Sequence, residues 1–193
     1  AGLFPLILKA ASYGTTVSVV SMTVFMVSMI LLYAASTTYH TFDISSNVNI
    51  VLKRLDHCMI PVLIAGSYTP VCLIVLHNIY GYVMFGIVWG IAILAIAFKL
   101  LWVTCPKWIS SVLYIVMGWT CVMALPQIYS ALAGAAFFWL LAGGIIYTIG
   151  GVIYALKLPI FNSKHKNFGS HEIFHLFVMG GSACHFVVMY SLL

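Results

Sequence analysis

Acidic side chains are nearly missing from this chain. Asp43, Asp56 and Glu172 are the only three among 193 residues, and charged residues of both signs make up 6%. So few charges cannot keep the surface of a soluble domain of this length in water, which excludes a soluble globular fold. Polar linkers, internal repeats and low-complexity tracts are absent as well, so residues 1–193 read as one domain. No cleavable signal peptide is visible. The five cysteines (Cys58, Cys72, Cys105, Cys121 and Cys184) show no C-x-x-C spacing. Lying mostly in apolar runs, they read as small buried hydrophobes and do not identify a redox compartment.

In place of charge there is hydrocarbon: 64% of residues are hydrophobic and the mean hydropathy is +1.14. That composition predicts an all-α polytopic membrane protein. A helix needs ~20 apolar residues to cross ~30 Å of hydrocarbon, and the chain offers such runs at 13–39, 55–76, 80–102, 109–125, 129–156 and 169–192. Residues 2–11 are apolar but only about half a span long. They are either a seventh helix that has lost its first half or a stub lying in the interface. The chain begins with Ala rather than Met, which favours trimming, and seven transmembrane helices are expected. Asn47 and Asn49 read as a polar loop, and Pro106, Pro126 and Pro159 read as following helix ends. Gly86, Gly90, Gly143, Gly144, Gly150 and Gly151 read as sites of close helix packing.

The positive charges are unevenly placed. Lys53 and Arg54 fall between the second and third helices, Lys99 and Lys107 flank the fourth-to-fifth connection, and Lys157, Lys164 and Lys166 fall between the sixth and seventh. The alternate connections, around His77–Asn78 and Pro126–Gln127, carry none. Only Lys9 strays. The positive-inside rule then predicts a cytoplasmic N-terminus and an external C-terminus. The net charge of +5 is this topology signal. It calls for anionic lipid headgroups as partners and for no nucleic acid.

On that map His40 ends the second helix, Asp56 opens the third, and His171 and His175 open the seventh, all at the cytoplasmic side. Positions i and i+4 lie about 40° apart on a helix, so His171 and His175 can face one ion. Ser36 shares a face with His40 in the same way, one turn deeper. Three histidines and a water make the open tetrahedral site of a catalytic zinc, which lowers the pKa of its water to about 7. Asp56 is placed to accept that water's proton, and Ser36 to hydrogen-bond it or a substrate oxygen. The bland alternative for any one of these histidines is an interfacial ring satisfied by water, backbone or headgroups. For the set, aligned at one depth with an acid and a serine, function is the better reading.

The segment His171–Glu172–Ile173–Phe174–His175 also spells H-E-x-x-H, the zinc-protease pattern with a glutamate base. Glu172, however, lies ~100° round the helix from His171. Intramembrane metalloproteases of the site-two type add an Asp from an Asp-Gly context, and this chain has no Asp-Gly. His185 lies ten residues beyond His175, ~15 Å along a straight helix, and is expected to pack rather than join the site. His57, His77 and His165 read as loop or interfacial residues, with His57 able to tune Asp56.

Three motifs carry a resemblance: S-T-T-Y-H at 36–40, K-R-L-D-H around Asp56, and F-G-S-H-E-I-F-H with the later C-H-F in 168–186. In order and spacing, over nearly the whole chain, it resembles the hemolysin III branch of the progestin and adipoQ receptor family, with the adiponectin receptors as distant relatives. The resemblance implies seven helices with the N-terminus inside and zinc held by His40, His171 and His175, with Asp56 and Ser36 beside the zinc-bound water. It also implies a position 172 that need not be acidic. One departure is the missing E-x-x-N-x-x-T-H-type segment that usually enters the first helix. The family is similar to alkaline ceramidases, which implies hydrolysis of a lipid amide, with a fatty acid or ceramide-like lipid as ligand. Bacterial members are named for haemolysis, which implies the alternative of a pore-forming or membrane-perturbing protein with a structural zinc. A lipid-sensing regulator of membrane homeostasis is the third reading. The bacterial cytoplasmic (inner) membrane is the expected location.

Overall fold

The computed structural model of the protein describes residues 2–132, 134–156 and 169–193. Among them every regular element is a helix: α1 (Leu3–Tyr13), α2 (Thr16–Thr41), α3 (Ser46–Pro70), α4 (Ile79–Leu101), α5 (Lys107–Gly118), α6 (Leu125–Ala131), α7 (Gly134–Leu156) and α8 (Ser170–Ser191). α3 runs on as a wider π turn over Val71–Leu76, and a 3-10 stretch, Trp119–Ala124, joins α5 to α6. With these continuations six stretches are long and apolar enough to cross a membrane. The outward surface is hydrocarbon, as on α4, where Ile93, Leu94 and Leu101 are 63%, 70% and 86% exposed. Only lipid is a compatible solvent for such a face.

The short α1 belongs to the bundle. Leu6 and Ala10 are wholly buried, in one core cluster with Met22 and Phe25 of α2. Lys9 Nζ donates to the Tyr190 carbonyl at 2.9 Å and sits 3.9 Å from that tyrosine's ring centre. The stray lysine therefore meets the carbonyl-rich C-terminal turn of α8, where a cation is favoured by the helix dipole.

Several boundaries differ from those read off the chain. α3 begins at Ser46, nine residues before the expected start at Leu55. The Ser45 hydroxyl accepts from the Val48 N–H at 3.4 Å, and no breaker follows, so the polar 46–54 stretch is helical. Asn47, Asn49, Lys53 and Arg54 thus lie on α3 rather than in a loop, and Asp56 sits almost three turns inside it. Asn49 instead ties the turn before α3, donating to Asp43 at 2.6 Å and accepting from the Ile44 N–H. Pro126 does not end a helix. It lies in the first turn of α6, where its missing N–H costs nothing, and the next span starts at Gly134 rather than Tyr129.

Lys99 and Lys107 flank the α4–α5 connection, as expected, but Lys99 does not face water. It is wholly buried in the last turn of α4, donating to the Ser110 hydroxyl and to Cys105 Sγ at 3.0 Å, which latches α4 to α5. Lys157, Lys164, Lys166, Pro159 and His165 lie outside the described residues. Of the glycines, Gly143, Gly150 and Gly151 do mark close approach, while a Cβ at Gly86, Gly90 or Gly144 would meet nothing within 4 Å. The cysteines are free, and all but the half-buried Cys121 are buried, as expected of small hydrophobes.

Two prolines inside α3 shape its course. Pro61 has no N–H, so the carbonyl of His57, four residues back, loses its helical donor. The Tyr114 hydroxyl of α5 replaces it, donating to that carbonyl at 3.1 Å. After Pro70 the ladder widens, and the His77 N–H reaches the Cys72 carbonyl five residues back at 3.3 Å. His77 closes the turn in the left-handed region (φ 41°), and the Asn78 side chain caps α4.

Candidate metal centre

α2 and α8 are antiparallel neighbours whose register is set deep in the bundle. The Tyr33 hydroxyl of α2 donates to Ser182 Oγ of α8 at 2.7 Å. Seven residues along each helix from that pair, two turns at 3.6 residues each, stand His40 and His175. His171 follows one turn closer to the start of α8. The three rings converge: His171 Nε2 lies 3.3 Å from His40 Nε2 and 3.2 Å from His175 Nε2. One nitrogen from each of the three fits within a 4.8 Å span.

These contacts discriminate between a hydrogen-bonded trio and a metal site. A neutral imidazole nitrogen carries either one proton or one lone pair, so His171 Nε2 cannot make a good hydrogen bond to both neighbours. A cation accepts all three lone pairs. At the usual Zn–N length of 2.0–2.1 Å, tetrahedral ligands stand about 3.3 Å apart, and the two measured separations match. Three histidines leave the fourth position open, the pattern of a catalytic rather than a structural site. The His40 ring is exposed and the other two are half-buried, so the centre opens at the end of the bundle. His171 also packs 6.0 Å, centre to centre, from the Tyr154 ring, over which Lys107 Nζ sits at 4.3 Å.

Asp56 is 7% exposed. Its carboxylate pairs with Nδ1 of His57 at 3.3 Å, and no carboxylate oxygen comes within 4.0 Å of the three imidazoles. It faces His171 and His175 instead across a cavity of about 210 Å³, whose wall also includes Ser36, His57 and Tyr154. His57 is therefore a cavity residue inside α3, not a loop residue. The rest of the cavity runs into the bundle between mostly apolar side chains, among them Leu32, Ile64, Phe137 and Val178.

Glu172 stands apart from this centre. Its side chain is exposed and accepts from the Gly169 N–H at 2.7 Å, so it caps the start of α8. The H-E-x-x-H spelling is thus a helix cap superposed on two histidines of one face. His185 does line the cavity, stacked on Tyr147 with ring centres 5.4 Å apart. Tyr33, Tyr114, Tyr147 and Tyr154 also line it and were not singled out in the sequence. Their signal was present for Tyr33, three residues before Ser36 and seven before His40 on one helix face.

The sequence is similar to those of several known proteins. Hemolysin-3 homolog of Bacillus subtilis (strain 168) is 41% identical over 181 residues, which cover 94% of this chain and 81% of the relative. Hemolysin-3 of Bacillus cereus is 41% identical over 184 residues, covering 95% and 80%. More distantly, the Adiponectin receptor protein of Drosophila melanogaster is 26% identical over 187 residues, covering 84% of this chain and 40% of the relative. No solved structure matches. The haemolysin-III related family matches residues 1–186, and this integral membrane protein belongs to that family.

Proposed function

We propose that this protein is a zinc-dependent hydrolase of a membrane lipid amide, with His40, His171 and His175 as metal ligands. The observation that carries the reading is a cavity lined by His171 and His175 of the three convergent imidazoles, one buried carboxylate and an apolar tunnel of acyl-chain character, with His40 completing the trio at its edge. Zinc, when bound, would polarise a carbonyl and lower the pKa of water. The chain's own residues supply the remainder. Asp56 is the only acid facing the cavity, which makes it the proton acceptor. Water adds to the carbonyl carbon, the C–N bond breaks, and the proton taken by Asp56 passes to the leaving nitrogen. The products are a fatty acid and an amine. Ser36 offers a hydroxyl one turn below His40 to hold the substrate oxygen. The bundle walls hold the acyl chain, and the exposed His40 marks where water enters and the amine leaves.

Placing the centre at the cytoplasmic face of a bacterial inner membrane rests on the distribution of lysine and arginine. The relatives named for haemolysis support a second reading, membrane perturbation with zinc only tying α2 to α8. Against a pore, the cavity wall is mostly apolar, with no ring of charges to line a water-filled path. Elemental analysis of the purified protein, with fatty-acid release from a panel of lipid amides and dye leakage from the same liposomes, decides between them. One zinc per chain with fatty-acid release is expected. Absence of any transition metal overturns the site, and leakage without hydrolysis across the panel favours perturbation.

A further inference from the structure

The hydrolytic reading uses only one end of the cavity, yet a second group of polar side chains lies deep in its wall. Tyr33 donates to Ser182, and Ser182 also contacts the Tyr147 hydroxyl at 2.8 Å. The Tyr33 hydroxyl also lies 3.5 Å from the Val178 carbonyl, so its proton is used, and when Ser182 donates to Tyr147 the Tyr147 O–H is the donor left over. Beside them, His185 stacks on Tyr147 at an interplanar angle of 22°, and its Nδ1 is buried without a partner. Tyr33, Tyr147 and His185 all face the cavity. Space for the stacked pair is made by two glycines: a Cβ at Gly143 would fall 2.9 Å from the His185 ring, and one at Gly181 would fall 2.8 Å from the Tyr147 ring.

Polar groups in the middle of a membrane are costly unless something uses them. The exposed His40 puts the metal end at the bundle surface, so the proposed hydrolysis does not need this deep group to supply water or protons. Apart from His185 itself, the acidic and basic cavity residues, Asp56, His57, His171 and His175, belong to the metal end. The deep group therefore holds no acid and one imidazole among hydroxyls, a set that offers donors and acceptors to an uncharged oxygen, whereas burying an ionised ligand group there would be costly. We propose that Tyr33, Tyr147 and His185 form a second polar station that binds a hydroxyl or keto oxygen carried part-way along the ligand's acyl chain. Ser182 and His185 lie seven and ten residues beyond His175, roughly 10–15 Å along α8, and that is the spacing of the two polar groups on the ligand. This inference rests on the lipid-ligand part of the function proposed above.

The test uses the purified protein in nanodiscs and measures the affinity of stearic acid against a positional series of hydroxystearic acids. Isomers with the hydroxyl near mid-chain should bind roughly three- to tenfold more tightly than stearic acid, the value of one net hydrogen bond. Tyr147→Phe and His185→Leu should each reduce the best isomer toward stearic acid while leaving stearic acid binding and metal content unchanged. Tyr147→Phe removes a single oxygen, so it keeps the test decisive if His185→Leu fails to fold. The station is overturned if no isomer exceeds stearic acid, if none of the acids binds, or if the preference survives both variants. Metal content and amide hydrolysis are read separately. Their loss with a retained hydroxyl preference defeats the hydrolase and spares the station, and the reverse result does the opposite.

Discussion

At the scale of single residues, the proposed function assigns metal binding and proton transfer to different groups. His171 and His175 occupy two of three converging positions, so His171→Ala/His175→Ala should abolish zinc retention, measured by elemental analysis after dialysis. Full zinc in that variant would return the histidines to an interfacial role. Asp56 touches none of the three rings, so Asp56→Asn should keep the metal and lose activity. A positioned proton acceptor contributes ~10²–10⁴-fold, and an amide of equal size cannot accept the proton. Hydrolysis that survives Asp56→Asn unchanged would remove this residue from the reaction. Glu172 caps α8 through the Gly169 N–H, and a glutamine oxygen can accept the same bond. Glu172→Gln should therefore retain both zinc and turnover. Its inactivation with zinc still bound would revive the protease-like assignment.

At the scale of elements, the breaks in the helices explain otherwise unassigned tyrosines. Hydrocarbon offers no partner to a freed backbone group, so each break needs a side chain from a neighbouring element. Tyr114 donates to the carbonyl that Pro61 leaves without a helical donor. Tyr68 of α3 serves the α-to-3-10 transition, donating to the Gly118 carbonyl and accepting from the Cys121 N–H at 2.8 Å. Tyr68→Phe and Tyr114→Phe should each destabilise the bundle by about 1–3 kcal/mol, the cost of stranding a buried polar group. Thermal unfolding in detergent checks this, with Tyr129→Phe as a control because Tyr129 is 66% exposed. Equal melting temperatures in all three variants would contradict the account. Tyr114 acts one residue from Asp56, so its loss should lower activity as well as stability.

At the scale of the whole molecule, orientation remains the property most directly tied to charge. Lys53 and Arg54 lie on α3 rather than in a loop, but they remain at the same end of the bundle as the three-histidine cluster, and the His77–Asn78 turn closes the opposite end. Reporters inserted at 42–45 and at 157–168 should read cytoplasmic, and one at 77–78 should read external. The opposite pattern would turn the metal centre outward and overturn the proposed location. The packing of α1 against α2 and the reach of Lys9 to α8 complete a seven-element bundle, although α1 is only 11 residues long.

Class and span positions were legible along the chain because hydropathy and helix length are local properties, each readable within a window of about 20 residues. The His171–His175 pair and the Ser36–His40 face were legible for the same reason, since a helix places i and i+4 on one side. Local reading failed where a local signal has two meanings. The stretch 46–54 looked like loop but is the capped start of α3, and Pro126 looked like an end but is a beginning. What only the tertiary structure decided is which residues meet. His40 and His171, 131 positions apart, come within ligand distance because α2 and α8 run antiparallel and are bridged by the Tyr33 hydroxyl on Ser182. The glycines that let α7 approach α8 carry no sign in the chain of which neighbour they face. Their partners are fixed by packing complementarity across helices, a long-range property that no periodicity along one helix encodes.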